Sequence, residues 1–223
     1  MRVQWYGQSA FRLTGAKQSV VLDPFGDMSA LARARGMRFD YPPIEPAPAD
    51  LLLITHEHVD HNEVRAVSGS PVVLRSTAGK LESPIGEVVA IASEHDDAAG
   101  TLRGPNTIFV FTLDDVRVAH FGDFGQSELR PEQAAAIGAV DLLFLPVGGG
   151  FTIGASQAAA ISARLQPRVV VPMHYRTERV SFLEPLDEFL DAMANTELLE
   201  QPAFELPDDD DADLQRVIVP AVP

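Results

Sequence analysis

The chain contains no cysteine. Without thiols it has no disulfide framework, no thiolate nucleophile and no thiolate metal ligand, so a bound metal must be held by nitrogen and oxygen atoms. Basic residues are also scarce, because 17 Lys and Arg stand against 32 Asp and Glu and the formal net charge is −15. This charge opposes the counterion release that drives generic binding to nucleic acid and anionic membranes, so we expect neither partner.

Long apolar runs are lacking as well. No segment approaches the roughly 20 apolar residues of a membrane-spanning helix, and the N-terminal stretch MRVQWYGQSAF has no apolar core typical of a signal peptide. We therefore expect a soluble, cytoplasmic protein. With 223 residues, 46% of them hydrophobic, the chain is long enough to bury a sizeable core, and we expect one domain over residues 1–223.

Short apolar runs rich in β-branched residues predict the strands. Gly, Pro, Asp and Ser bound these runs, as they commonly bound strands. The runs are VQWY, SVVLD, LLLIT, PVVL, EVVAIA, TIFVFTL, VRVAHF, DLLFLPV, RVVVPM and QRVIVP. Residues 107–112 and 116–120, joined by residues 113–115, are typical of a β-hairpin.

Segments rich in Ala and Leu predict the helices, at 131–138, 155–165 and 184–194. Because they lie among strands in the second half of the chain, the predicted fold class is α/β or mixed α+β, with helices packed on sheet. Two segments are predicted to be irregular. Residues 36–50 carry four prolines, and the acidic run 206–213 is expected to be a solvated loop before the last strand.

Histidine is concentrated in one place. The stretch THEHVDH, directly after the predicted strand LLLIT, holds His56, His58 and His61, three of the chain's six histidines, and also Asp60. His56 and His58 are two positions apart, so in extended backbone both side chains point to the same side. A lone histidine at a strand end is usually a hydrogen-bonded structural residue, but this grouping with an aspartate indicates a metal site.

The other metal-capable residues have the same placement. His95, Asp123 and His174 each come after a predicted strand. Open α/β sheets place their sites at the carboxyl ends of strands, so we expect four strand ends to converge on one cleft. His120 shares a strand face with Val116 and Val118, which favours a core histidine, or one that supports a ligand, over a metal ligand.

The predicted ligands divide into two sets with one bridging residue. They are His56, His58 and His95 for one ion, Asp60, His61 and His174 for a second, and Asp123 between them. Imidazole and carboxylate ligands suit zinc, with manganese as the alternative, and leave a position open for water. Two ions about 3.5–4 Å apart can hold and activate one hydroxide. The sequence therefore predicts a metal-dependent hydrolase, in which Asp60 receives the proton.

The motif HEHVDH resembles the HxHxDH motif of the metallo-β-lactamase superfamily, and His95, Asp123 in FGD and His174 in PMHY follow in that family's order. WYGQSAFRL and VVLDPF are similar to the family's opening hairpin, and DLLFLPVGGGFTIG to a late strand and turn, so the resemblance covers nearly the whole chain. It implies a four-layer αβ/βα sandwich with a two-metal site along one edge of two facing sheets. Within the superfamily the chain most resembles zinc-dependent hydrolases related to the ascorbate-6-phosphate lactonases.

Three positions refine the resemblance. Diiron flavoprotein relatives generally carry Glu at the motif's second position, where this chain has His58, which favours a hydrolytic metal pair. Gln8 stands where close relatives often have His in GHS, so a pocket contact is expected to differ while the metal ligands remain. Asp23 is placed where many relatives have an acid that orients a ligand imidazole, although an Asp before Pro24 is equally typical of a turn.

Residues for binding the substrate are less clearly marked. Tyr175, Arg176 and Arg103 are candidates for stabilising an oxyanion or an anionic substrate group, with exposed surface or a turn as the competing interpretation for the arginines. Phe39 and Tyr41 in the proline-rich segment are candidate lid residues, or they pack against the protein's own edge. The glycines 148–150 lack the Lys-Ser/Thr ending of a P-loop, so they are predicted to form a strand-to-helix turn.

The expected partner is a small-molecule substrate, in the first place an ester or lactone. A phosphodiesterase or nuclease would use the same metals and chemistry. A non-catalytic protein that uses the metals for structure or sensing is the alternative from another class. Structural zinc sites are normally closed and mononuclear, so a ligand set that includes both Asp60 and Asp123 favours an enzyme.

Overall fold

The computed structural model describes residues 1–207 and 215–223, so most of the acidic run predicted as a loop lies outside the described residues. Strands are the main element of these ranges. They are β1 Arg2–Gly7, β2 Ala10–Thr14, β3 Ser19–Leu22, β4 Ala47–Pro48, β5 Leu51–Ile54, β6 Val67–Ser68, β7 Val72–Arg75, β8 Gly79–Ser83, β9 Gly86–Glu94, β10 Pro105–Leu113, β11 Val116–His120, β12 Leu142–Pro146, β13 Val169–Met173, β14 Thr196–Leu198, β15 Ala203–Glu205 and β16 Arg216–Val219. The helices are α1 Ser29–Ala34, α2 Pro131–Ile137, α3 Ala155–Leu165 and α4 Asp187–Asp191, with a 3₁₀ turn at Val64–Ala66.

Most of the strands belong to two large sheets. One has six strands in the order β15-β1-β2-β3-β5-β7, and the other has eight in the order β14-β16-β13-β12-β11-β10-β9-β8. The strands β11, β12, β13 and β16 pair in parallel, whereas β8 to β11 pair antiparallel. The mixed α/β class predicted from the sequence is confirmed. No helix within the described ranges is long and apolar enough to cross a membrane.

The main apolar core lies between the two sheets. Phe11 of the six-stranded sheet and Phe144 of the eight-stranded sheet are fully buried, and their ring centroids are 4.4 Å apart. Helix α3 contributes Ala158 and Ile161 to the same cluster. Because apolar side chains of both sheets and of this helix leave water together, they fix the sheets against each other, and with them the strand ends that carry the site.

A second cluster covers the outer face of the six-stranded sheet. Val21, Leu52 and Ile54 are buried there against Val67 and Ala49. Val67 belongs to β6, and Ala49 follows β4, its partner in a separate two-stranded sheet. The proline-rich segment therefore contributes a short strand to the fold, in place of the wholly irregular structure that its prolines predict.

The predicted hairpin at 107–120 is confirmed. β10 and β11 pair antiparallel with Leu113 opposite Val116, so the turn consists of Asp114 and Asp115. Both aspartates have positive φ angles, 50° and 63°. Positive φ at both central residues is the geometry of a two-residue turn whose twist matches that of the strands.

The helix predictions are confirmed in two places and need a correction in the third. The segments 131–138 and 155–165 correspond to α2 and α3. The predicted helix 184–194 was wrong in length, because α4 covers only Asp187–Asp191. Pro185 explains why residue 184 is not helical, since a proline disfavours helical backbone at the residue before it.

Candidate metal centre

The predicted metal ligands lie just beyond the carboxyl ends of four strands, β5, β9, β11 and β13. β9, β11 and β13 run in the same direction in the eight-stranded sheet, and β5 belongs to the six-stranded sheet. Histidines from both sheets surround one carboxylate, so these strand ends meet at one edge of the sandwich. Such an edge is where open α/β sheets place their sites.

Asp123 lies at the centre of the cluster and is 2% exposed. Its Oδ2 atom is 3.2 Å from the Nε2 atoms of His61, His95 and His174. The Nε2 atom of His56 is slightly farther from the same oxygen, at 3.8 Å. One carboxylate oxygen thus faces four imidazoles that come from three separate strand ends.

Two groups of nitrogen and oxygen donors consist of predicted ligands alone, and one of them includes this carboxylate. Within each group the potential ligand atoms lie within 4.8 Å of one another, and the groups are His56, His58 and His95 and, beside them, His61, Asp123 and His174. Asp60 lies at the edge of the second group, with Oδ2 3.7 Å from Nε2 of His61. The structure therefore brings together all seven residues that the sequence predicts as ligands.

The imidazole and carboxylate groups of this cluster do not satisfy one another's hydrogen-bonding and charge requirements, and a metal ion would. Nε2 of His61 is buried and has no hydrogen-bond partner within the described ranges, although Oδ2 of Asp123 is 3.2 Å away. The ion-pair partners of Asp123 in those ranges are imidazoles, without a lysine or arginine. A buried carboxylate needs a positive partner, and a divalent cation held between it and the imidazoles would satisfy both groups.

The pKa values of the cluster are strongly perturbed. Burial and the neighbouring charge of His61 hold the pKa of the His56 imidazole well below its usual value. Burial and His95 lower the pKa of His58 in the same direction. Neutral imidazoles with a free lone pair are the form that binds metal ions.

The pKa values of Asp123 and His61 are shifted by each other's charge. Burial raises the pKa of the Asp123 carboxyl, but His174 and His61 outweigh burial and hold this pKa well below its usual value. Burial lowers the pKa of His61, but Asp123 and Asp60 outweigh burial and raise this pKa well above its usual value. The site therefore keeps an ionised carboxylate in the interior and attracts a cation beside it.

Asp23 and Thr55 support His61 from behind. Oδ1 of Asp23 accepts the backbone N–H of Thr55 at 2.8 Å, and Oδ2 accepts the Thr55 hydroxyl at 2.6 Å. Oδ2 of Asp23 also lies 3.1 Å from Nδ1 of His61. Asp23 is close enough to His56 and His61 to count as a third donor group. Because both of its oxygens are engaged by Thr55, we assign it to orienting His61 rather than to binding metal.

His120 lies behind the centre with both ring nitrogens engaged. Its Nδ1 accepts the backbone N–H of Gly122 at 3.2 Å, so Nε2 carries the proton and donates it to the carbonyl of Ser9 at 2.9 Å. The Ser9 hydroxyl in turn donates to Oδ1 of Asp123 at 3.3 Å. The Oδ1 atom of Asn106 accepts the Asp123 backbone N–H at 3.1 Å. Ser9, Asn106 and Thr55 were not predicted, because single short polar residues carry no pattern in a sequence.

Two glycines allow the backbone of the ligand loops to pack closely. A Cβ atom on Gly125 would collide with the carbonyl of His95, and one on Gly148 would collide with the carbonyl of His174. Gly148 begins the glycine run 148–150, which lies between β12 and α3. The run is therefore the predicted strand-to-helix turn, and it contributes to the site by fitting against a predicted ligand.

A cavity of about 420 Å³ opens onto the centre. His58, Asp60, His95, Asp123 and His174 line its base. The rest of its lining includes the apolar residues Met28, Leu31, Met37, Phe39, Phe151 and Phe182 and the basic residues Arg35 and Arg103. Phe39 thus belongs to the cavity wall, and Tyr41 packs against it in the apolar cluster underneath, with ring centroids 5.4 Å apart.

Three of the residues considered for substrate binding lie outside the cavity lining. Tyr175 is buried, and its ring stacks on Trp5 with centroids 5.6 Å apart, a placement that gives no support to a catalytic role. Arg176 is exposed. Gln8 is fully buried, so the pocket contact considered for it is not observed, and its backbone carbonyl accepts the N–H of His174 at 3.4 Å.

Known proteins share this fold and sequence. A model of the beta-lactamase superfamily domain matches residues 2–174. A UPF0173 metal-dependent hydrolase from Thermococcus onnurineus is 32% identical over 205 residues, which cover 79% of this chain and 85% of that protein. A second, from Pelotomaculum thermopropionicum, is 30% identical over 207 residues with the same coverage of both proteins.

Solved structures agree with these relatives. A proposed Zn-dependent hydrolase of the metallo-β-lactamase superfamily from Thermotoga maritima is 28% identical, with a TM-score of 0.77 over 98% of this chain and 97% of that one. An isothiocyanate hydrolase from Delia radicum gut bacteria shares the fold alone, at 14% identity, with a TM-score of 0.68 over 100% of this chain and 97% of that one. The four-layer αβ/βα fold is thereby confirmed, and the chain belongs to the metallo-β-lactamase superfamily and, within it, to the UPF0173 metal-dependent hydrolases.

Proposed function

We propose that the protein hydrolyses a small ester or lactone with two divalent metal ions held around Asp123. One observation carries the proposal: Oδ2 of Asp123 is 3.2 Å from Nε2 of His61, His95 and His174, which come from three different strand ends. A carboxylate placed between two groups of donors is suited to bridge two ions. A mononuclear structural site would need only one of these groups and would be closed to solvent.

The seven ligands proposed here are His56, His58 and His95 at one ion, Asp60, His61 and His174 at the other, and Asp123 at both. Their nitrogen-rich composition supports zinc, with manganese as the alternative. When bound, such a pair of ions polarises the oxygen of the scissile bond and supplies hydroxide at neutral pH.

The chain supplies orientation, a proton acceptor and a shaped cavity. His61 is held by Asp23, and Asp123 by Ser9 and Asn106, so the positions of these donors are set before substrate arrives. Asp60 lines the cavity, and its side chain is 20% exposed. A partly exposed carboxylate at the base of the cavity can take up a proton and pass it to solvent, which is the role we propose for Asp60.

The nucleophile is proposed to be water. The chain has no cysteine, and among the described residues that line the cavity there is no serine or threonine to form a covalent intermediate. Among the carboxylates of the lining, Glu57 is paired with Arg75, and Asp60 and Asp123 are proposed metal ligands, so we propose that a water molecule activated by the ions attacks the substrate.

A small molecule is the proposed partner. A cavity of about 420 Å³ falls within the range of small-molecule sites, and the net charge of −15 disfavours generic binding to polynucleotide. A phosphodiesterase of the same fold is the second candidate, since two metal ions serve phosphoryl chemistry equally well. The resemblance of the sequence to the ascorbate-6-phosphate lactonases favours a lactone within the leading class.

A substrate panel tests the proposal. Protein loaded with zinc or manganese is assayed with matched lactones, oxygen esters, thioesters and phosphodiesters, and chelator-treated protein is the control. We expect metal-dependent turnover of esters or lactones above phosphodiesters. Preferential turnover of phosphodiesters would replace the leading class with the second candidate. Complete inactivity of protein that holds two ions would favour a non-catalytic metal-binding role.

A further inference from the structure

The cavity beside the metal centre combines an apolar wall with a basic side chain. The apolar wall includes Leu31, Met37, Phe39, Phe151 and Phe182. At the rim, Leu31 is 38% exposed and Val59 is 54% exposed, which places further apolar surface at the opening. An apolar wall of this kind is not needed to hold two metal ions, but it suits the apolar part of a ligand.

Arg103 lies over this wall. The Cζ atom of its guanidinium is 3.8 Å from the centroid of the Phe151 ring. No ion pair joins Arg103 to a carboxylate in residues 1–207 and 215–223, although the chain carries 32 Asp and Glu. Stacking occupies the flat face of a guanidinium and leaves its N–H edge free to donate two parallel hydrogen bonds.

The loop that carries Arg103 is fixed to a predicted metal ligand. The carboxylate of Asp96 accepts the backbone N–H groups of Ala98, Gly100, Leu102 and Arg103 at 2.9, 2.8, 3.0 and 2.7 Å. Asp96 directly follows His95, whose N–H donates to the carbonyl of Gly104 at 3.1 Å. The backbone of Arg103 is therefore held in a set position relative to the centre, which reduces the cost of ordering it when a ligand binds.

We propose that Arg103 binds an anionic group of the substrate, a carboxylate or a phosphate monoester, while an apolar chain or ring of the same molecule packs on the wall. The substrate class is thus an amphipathic, anionic ester or lactone. Arg35, which lines the same cavity, adds positive charge on the side of α1. The hydrolysis of this molecule rests on the proposed function, whereas its recognition by Arg103 does not.

Binding to the metal-loaded protein tests recognition without turnover. Titration calorimetry compares 4-phenylbutyrate, 3-phenylpropyl phosphate and the neutral 4-phenylbutan-1-ol. Arg103→Met should weaken binding of the preferred anion by about 10–100-fold, the range expected for hydrogen bonds to a charged group, and leave binding of the alcohol unchanged. Arg103→Lys should recover part of the loss, since it keeps the charge but not the planar pair of donors. Comparing the two anions distinguishes a carboxylate from a phosphate.

Arg65→Met is the matched control, because Arg65 is exposed on the 3₁₀ turn and lies outside the cavity lining. It changes the net charge equally and should leave all three affinities unchanged. If Arg103→Met weakens the alcohol as much as the anions, the residue acts by packing and the proposal is wrong. Anion binding that is unaffected by Arg103→Met would place the anion on the metal ions instead and would also overturn the proposal.

A kinetic comparison links recognition to the reaction. The substrates are 4-nitrophenyl valerate and mono-4-nitrophenyl glutarate, which have acyl chains of equal length ending in a methyl group and a carboxylate. Wild-type protein should favour the glutarate in kcat/KM, and Arg103→Met should abolish that preference mainly through KM. If wild-type protein hydrolyses neither ester while the binding results hold, the ester assignment of the proposed function fails and the role of Arg103 stands.

Discussion

Oδ2 of Asp23 lies 3.1 Å from Nδ1 of His61, and neither side chain is exposed to solvent. A hydrogen bond from Nδ1–H to this carboxylate fixes the orientation of the imidazole, so Nε2, which lies 3.2 Å from Oδ2 of Asp123, is the nitrogen available to a metal ion. Thr55 donates to both oxygens of Asp23 and so fixes the carboxylate as well. The donor geometry at His61 thus depends on a residue that does not need to touch a metal ion.

Asp23→Asn tests this arrangement. The amide offers one acceptor oxygen to three donors from Thr55 and His61, so the orientation of His61 should loosen. Affinity for one of the two ions should fall by about 10–100-fold, while affinity for the other changes little. Asparagine tolerates the positive φ of 43° at this position, so the backbone need not change. Competition with a calibrated chelator measures both affinities.

Asp50→Asn is the control for Asp23→Asn. Oδ2 of Asp50 accepts the backbone N–H of Ser19 at 2.8 Å, and Asp50 lies outside the donor groups of the described residues. It should lower stability without changing either metal affinity. Equal effects of the two substitutions on metal affinity would show that Asp23 acts through general stability and does not position His61.

Metal stoichiometry tests the dinuclear assignment directly. Because the donors form two groups around a shared carboxylate, elemental analysis of protein purified without chelator should approach two ions per chain. Reconstitution with excess zinc or manganese should not exceed this value in tightly held metal. A maximum near one ion per chain would contradict the role of Asp123 as a bridge.

Substitutions of Asp123 and His120 should have different effects, because Asp123 is a proposed metal ligand and His120 lies behind the ligands. Asp123→Asn keeps the size of the side chain but removes the negative charge between the proposed ions, so metal content and turnover should fall together. His120→Ala should lower the free energy of unfolding by about 2–5 kcal/mol, because it leaves a cavity and two backbone groups without partners. It should spare the stoichiometry of two.

If the effects of substituting Asp123 and His120 on metal content were reversed, the proposed set of metal ligands would have to change. If Asp123→Asn retains two tightly held ions and near-normal turnover while His120→Ala loses one ion, His120 belongs among the ligands. Urea denaturation of both variants separates a loss of metal from a loss of folding.

The sequence was sufficient to predict most of the strands and to predict which residues come together as candidate metal ligands. All ten predicted strands are present, because strands rich in β-branched residues leave apolar runs that are easy to recognise, even where the strand is largely exposed, as in β7. The donors could be placed because each of their loops follows such a strand. In this fold class the carboxyl ends of the strands meet at one edge of the sheets. The convergence of the candidate ligands could therefore be predicted without knowing the side-chain positions.

Other features carried too weak a signal to be predicted. β4, β6, β14 and β15 have two or three residues each, and α1 has six, which is shorter than the windows in which periodicity can be measured. Ser9 and Asn106 reach Asp123 from elsewhere in the chain, and that contact exists only after folding. The stacking of Arg103 on Phe151 brings together residues that are far apart in sequence, so it too depends on the tertiary structure.

The pH dependence of stability provides a test away from the metal centre. Burial raises the pKa of Tyr41 from its ordinary value near 10 to about 12. The folded protein therefore holds the phenolic proton more tightly than the unfolded chain does. Stability from this group is fully present below pH 10 and is lost as pH rises toward 12, at up to about 1.4 kcal/mol per pH unit.

Tyr41→Phe should remove this contribution to the alkaline slope. At neutral pH the variant should be less stable by about 0.5–1.5 kcal/mol, because it loses the hydrogen bond between the Tyr41 hydroxyl and Thr177, 3.1 Å apart. The free energies of unfolding of the two proteins, measured in urea from neutral pH upward, should converge above pH 10 and cross before pH 12, because the alkaline loss in the wild type exceeds its advantage at neutral pH. Burial also raises the pKa of Tyr6 and Tyr175, so a residual slope remains in the variant and the difference between the curves is the quantity to compare. Parallel curves throughout would show that Tyr41 titrates at its ordinary pKa in the folded protein, and hence that water reaches its hydroxyl.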